Sequence, residues 1–189
     1  MSRAAVNVSS EERRPLYCRR MDILDRLLQY DTWIMRRMLV HCQQLTEAQR
    51  HERFDIGWET VHATLVHVVA NMELWNDLLH GRTPQDDSNS RVPSLNELIA
   101  RHQAVAEELG ALARGQAARG NLDGIMVDTL NDPPTESTCG TVLCDIFHEN
   151  MVHRSEVRHM LKRLYAPPLE AYDPISWERN REMPVAGSA

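Results

Sequence analysis

Lysine is almost absent from the 189-residue chain: Lys162 stands alone against twenty arginines. Acidic residues outnumber the basic ones 27 to 21, giving a formal net charge of −6. Broad binding to a phosphate backbone needs a basic surface, so nucleic acid is not an expected partner. Aromatic residues make up only 5%, too few for a base-stacking platform. No run approaches eighteen uninterrupted apolar residues, and Arg13, Arg14, Arg19 and Arg20 break up the first twenty. Neither a membrane span nor a signal peptide is therefore expected. The four cysteines, Cys18, Cys42, Cys139 and Cys144, form no CxxC pair. They read as free thiols of a cytoplasmic protein. Strand signals are also scarce: Ile125-Met126-Val127 is too short to found a sheet and would make a small hairpin at most.

What remains is helical. Apolar residues are 42% and charged residues 25%, ordinary values for one globular domain. A chain of this length buries about 70% of its unfolded surface and needs neither disulfide nor metal merely to fold. Residues 1–20 are polar and lack a stable period, so they read as a flexible arm. From Met21 to about Gln44, Ile23, Leu24, Leu27, Leu28, Ile34, Met35, Met38, Leu39 and Cys42 recur at three- and four-residue steps. A second run spans Trp58 to His80 on the stripe Val61, Leu65, Val68, Met72, Trp75 and Leu79. A third opens at Ser94, with Glu97 placed for a capping box, and is lined by Leu95, Leu98, Ile99, Val105, Leu109 and Leu112. The fourth begins near Gly140-Thr141 and ends at Tyr165, before Pro167-Pro168. Four such helices predict an all-α fold, an antiparallel four-helix bundle of up-down-down-up or similar order over residues 21–178. Residues 115–140 are expected to form a long loop before the last helix, and 179–189 a tail. Tyr172, Ile175 and Trp177 are expected to pack across the bundle. Tyr30, Trp33, Trp75 and methionines such as Met72, Met151 and Met160 are expected in the core.

The fourth helix carries an anomaly. Glu149, Asn150 and His153 fall on the side of its apolar stripe, Ile146, Val157, Met160 and Leu164. A glutamate among apolar neighbours is costly unless paired or metal-bound. Glu149 and His153, spaced i, i+4, can aim at one point. A third ligand from the second helix would complete a divalent-metal site, and that helix offers His62 and His67. His67 shares a secondary stripe with Asn71, Leu74 and Leu78, which favours it without excluding His62.

These segments together resemble the DinB/YfiT-like superfamily of metal-binding four-helix bundles. The resemblance runs from Met21 to Glu178, through YDTWIMRRML (Tyr30–Leu39), LTEAQ (Leu45–Gln49) and TLVHVVANMELW (Thr64–Trp75). It continues through HENMVHRSEVRHMLKRL (His148–Leu164), similar to the family's H-x-x-x-H-R-[GA]-Q signature, and YDPISWE (Tyr172–Glu178). It implies a metal triad of His67, Glu149 and His153, with glutamate where the superfamily often has histidine. His62 and His148 do not fall on ligand positions. The His–Glu–His set is also similar to that of mycothiol-dependent maleylpyruvate isomerases. Ser155-Glu156 departs from the usual small residue plus glutamine. Asn71 and Glu156 are candidates to orient the histidines. Arg154 is a candidate for an anionic substrate or for a surface salt bridge, and Cys139 and Cys144 for the site mouth or for plain thiols.

The resemblance implies a divalent ion, zinc first and nickel, iron or manganese next, activating a low-molecular-weight thiol such as mycothiol, bacillithiol or glutathione. The product would be an S-transferase or a thiol-dependent isomerase acting on a small-molecule electrophile. A hydrolase using metal-bound water and a non-catalytic metal-binding protein are the alternatives. A homodimer is a further expectation.

Overall fold

A computed structural model describes residues 21–84 and 91–181. The expected arm at 1–20, with Cys18, and most of the expected tail, 182–189, lie outside the described residues.

Four long helices form, each opened by a capping side chain. Helix α1 spans Ile23–Cys42, and Asp22 caps it by accepting from the Asp25 amide at 2.8 Å. A short helix α2, Glu47–Arg50, has a full capping box between Thr46 and Gln49. Helix α3 spans Val61–Leu79 and helix α4 Leu95–Ala118. The α4 start is the expected box: Ser94 accepts from the Glu97 amide and the Glu97 carboxylate accepts from the Ser94 amide. Strands β1, Ile125–Asp128, and β2, Thr135–Thr138, pair antiparallel and lead directly into α5, Cys139–Arg163. Helix α6, Pro174–Arg181, ends the described chain.

Side-chain pairs fix the helix directions. Gln43 meets Asn96 at one end and Asp25 meets Arg114 at the other, so α1 and α4 are antiparallel. Glu73 pairs with Arg101 and Asn76 with Glu108, so α3 and α4 run parallel. Asp31 meets Asn150 and Arg154, while His41 reaches the Pro167 carbonyl beyond α5, so α1 and α5 run parallel. The order is up-down-down-up, with α1 and α3 each packed between α4 and α5. Met35, Met38, Leu65, Met72, Leu98, Ile146 and Met160 fill the centre.

Several expectations are corrected. Helix α3 begins at Val61 rather than Trp58, because Gly57 and Glu59 take left-handed backbone angles, φ 50° and 64°, that a helix cannot contain. Thr60 then caps it, accepting from the Ala63 amide at 3.0 Å. The stretch expected as a long loop holds the end of α4 and the β1–β2 hairpin, in which Met126 faces inward while Ile125 and Val127 stay exposed. Ile23, Leu27 and Met151 are exposed, since each lies beside its helix's buried stripe rather than on it. Tyr30, Trp33 and Trp75 are half-buried at the core margin. Of the C-terminal trio only Trp177 is buried, its ring edge-on to Tyr30 at 6.3 Å. Ile175 is exposed, and Tyr172 lies under the Arg158 guanidinium while its carbonyl accepts from the Tyr30 hydroxyl.

One polar layer crosses the core. Asp31 accepts from Asn150 at 2.8 Å and from the Arg154 guanidinium, using both carboxylate oxygens. Asn150 is 0% exposed and His102 on α4 1%. Burial holds His102 well down, to about 4, so it is neutral in the folded protein.

Candidate metal centre

His67 sits two turns into α3, and Glu149 and His153 lie one turn apart on the antiparallel α5. One ligand-capable atom from each lies within 4.8 Å of the others. His153 Nε2 is 3.3 Å from a Glu149 carboxylate oxygen, and the two imidazoles meet edge to face at 4.7 Å between centroids. The three residues favoured from sequence are therefore brought together. His62 is turned to His51, ring to ring at 4.9 Å, and His148 is exposed; neither joins the cluster.

The surroundings tune the donors. His153 Nδ1 lies 2.8 Å from a Glu156 carboxylate oxygen, and a neutral imidazole that donates there presents the Nε2 lone pair to the other two. Burial, and then the charge of His153, hold His67 below the ordinary histidine range, while Glu149 and Glu156 pull the other way. A neutral imidazole is the form that binds a metal. Glu149 is less enclosed than its stripe suggested: its side chain is 36% exposed, so the cluster opens to solvent on that side.

The lower-ranked candidates divide. Glu156 touches His153 directly. Asn71 is half-buried and makes none of these contacts. Arg154, the residue after His153, is neither on the surface nor open to a substrate; its guanidinium is committed to Asp31 in the core. Cys139 is buried, which pushes its thiol up, and Cys144 is exposed; neither supplies an atom to the cluster.

Two neighbours were missed from sequence. The Trp58 indole stacks on His67 at 4.4 Å between centroids, and Trp58 stays 51% exposed at the cluster's edge. Gly57 lies so close to Glu156 that a Cβ there would collide with its carboxylate. The only local signal is the Gly-Trp pair just before the Thr60 cap, which periodicity absorbs into the helix. Among the described residues no helix is long and apolar enough to cross a membrane.

No curated protein matches the chain. The DinB family model matches residues 18–182, a span that includes every helix and all three residues of the cluster. On that match, and with a His–Glu–His group that could bind a divalent ion inside an up-down-down-up bundle, the chain belongs to the DinB family.

Proposed function

We propose that the protein is a metal-dependent enzyme that joins a low-molecular-weight thiol to a small electrophile, as an S-transferase or a thiol-dependent isomerase. The observation that carries this is the convergence of His67, Glu149 and His153 on one partly exposed point. Two imidazoles and a carboxylate fit a borderline divalent ion, zinc first and nickel, iron or manganese next. Such an ion, with at least one coordination position left open, supplies the Lewis acidity that makes a thiol a thiolate at neutral pH.

The chain's own residues do the rest. Glu156 keeps the His153 proton on Nδ1, so Nε2 faces the centre. The exposed edge of Glu149 and the indole of Trp58 border the side from which thiol and electrophile enter. The attack forms one carbon–sulfur bond, and the thiol proton leaves to solvent. The electrophile either loses its leaving group with the bonding pair or opens a carbon–carbon π bond whose far carbon takes a proton from solvent. In an isomerase the π-bond adduct forms and later breaks, returning the thiol. In this reading the carboxylates touching His153 have other roles, Glu156 accepting its hydrogen bond and Glu149 serving as a metal ligand, which leaves neither free as a general base for water. A thiol, with an ordinary pKa of about 8.5, needs less help than water at about 15.7. This favours thiol chemistry over hydrolysis, and a reducing cytoplasmic setting suits it.

The test is metal content of untagged protein by elemental mass spectrometry, followed by thiol consumption with model electrophiles. About one divalent ion per chain, lost in His153→Ala, is expected, together with thiol loss that needs both metal and electrophile. Protein that holds no ion after supplementation with zinc, nickel, iron and manganese overturns the metal centre. Turnover of an ester or amide without thiol overturns the transferase reading in favour of the hydrolase.

A further inference from the structure

The residues joining α2 to α3 follow an unusual path. Gly57 and Glu59 both lie in the left-handed region, and Glu59 carries a Cβ that disfavours it. The path is closed by a 2.7 Å bond from the Phe54 amide to the Glu59 carbonyl and one of 2.9 Å from the Glu59 amide to the Ile56 carbonyl. It is also fastened to α5. Asp55 pairs with Arg163 at 2.6 Å, and the same guanidinium lies 4.9 Å from the centroid of the buried Phe54 ring. A third attachment is the close packing of Gly57 on the Glu156 carboxylate. So fastened, the loop lays Trp58 flat against His67, with 27° between the ring planes.

Each histidine of the cluster therefore has a support that depends on this loop. His67 is held by the Trp58 stack. His153 is held by Glu156, whose carboxylate occupies the space that only a glycine at 57 leaves. We propose that the 53–60 loop is a positioning device for the metal centre: Trp58 fixes the His67 ring in its ligating orientation, and Gly57 admits the Glu156 carboxylate that orients His153. The inference rests on the metal reading above. A cation at the centre draws electron density out of the imidazole, and the electron-rich face of the indole is attracted to the ring that results. The stack thus favours the loaded state over the empty one. The loop carries no ligand atom, so Trp58 and Gly57 are positioning residues.

The experiment measures zinc affinity by competition with a chromophoric chelator, alongside the helical circular-dichroism signal. Trp58→Ala removes a half-exposed side chain, keeps the helical signal, and is expected to weaken zinc binding by about ten- to a hundred-fold, the usual effect of removing a ligand's support. Trp58→Phe keeps a flat ring and restores most of that loss. Gly57→Asn, a residue that tolerates the left-handed backbone at φ 50°, displaces Glu156 and weakens zinc binding too. Because that effect runs through one carboxylate, Gly57→Asn costs no further affinity when added to Glu156→Ala. Zinc changes the tryptophan fluorescence of the wild type, and this change is absent in Trp58→Phe. Wild-type protein that binds none of zinc, nickel, iron and manganese in the same competition assay overturns the metal reading itself. Wild-type protein that binds one of these ions, while Trp58→Ala binds it as tightly, overturns the positioning role of Trp58 alone. Additive losses in Gly57→Asn/Glu156→Ala overturn the role of Gly57.

Discussion

The pair Asp31–Arg154 is the most consequential polar contact in the core, and its energetics can be worked from its burial. The two side chains are 7% and 8% exposed, so both charges are out of water. Replacing Arg154 by methionine leaves the Asp31 carboxylate with one amide donor, Asn150, and no counter-charge. Breaking a buried pair in this way costs about 3–5 kcal/mol. Asp31→Leu strands the guanidinium and is expected to cost a similar amount. The double variant Asp31→Leu/Arg154→Met removes both desolvated charges. Its remaining penalty is the Asn150 amide, stripped of its acceptor and already carrying an oxygen with no partner among the described residues. That penalty is about 1–3 kcal/mol, offset by apolar side chains in the vacated space. The double variant is therefore expected close to wild type, with a coupling energy of several kcal/mol between the two sites. The assay is urea denaturation followed by far-ultraviolet circular dichroism, with chelator present so that metal binding adds nothing to the native state. Single variants that each lose less than about 1 kcal/mol, or losses that simply add, would refute the picture of a dry, mutually dependent pair.

Other expectations follow from single features. His102 is neutral when folded, at about 4, but takes up a proton near 6.5 when unfolded, so its contribution is full above about pH 6.5 and is lost as pH falls towards 4. The difference of about 2.5 pH units corresponds to about 3 kcal/mol, and a His102→Leu variant should show a correspondingly shallower loss of urea stability over that window. Trp177→Ala should cost about 3 kcal/mol and free α6 from the Tyr30 ring, read as a lower urea midpoint and faster proteolysis at the C-terminal end; an unchanged midpoint would count against the docking of α6. Ser94→Ala removes one half of the α4 capping box and should cost about 1 kcal/mol in thermal or urea melts, whereas Ser94→Asp should cost little.

The bundle was legible because each long helix repeats its apolar residues with the period of the structure it forms, and because Ser94 and Glu97 mark their own start. The pair Glu149 and His153 was legible for the same reason: both belong to one helix, whose geometry relates them without any knowledge of a neighbour. What lay beyond one helix was not. His62 and His67 are five residues apart, about 140° around α3, so the choice between them depends on which helix stands on which side. That is a property of the up-down-down-up order, and no period within α3 contains it. Arg154 was opaque for a parallel reason: a basic residue flanked by His153 and Ser155 reads as solvated until Asp31, 123 residues earlier, is seen to face it. Trp58 shows the converse failure, in which periodicity misleads. Its spacing from Val61 and Leu65 fits a helix, yet the left-handed backbone at Gly57 and Glu59 places it in a loop with its ring against His67. Local pattern thus specifies which face of each helix is apolar. The identity of the third residue in the cluster and the side chains that hold the histidines still are set by contacts between elements, where a one-dimensional period carries no information.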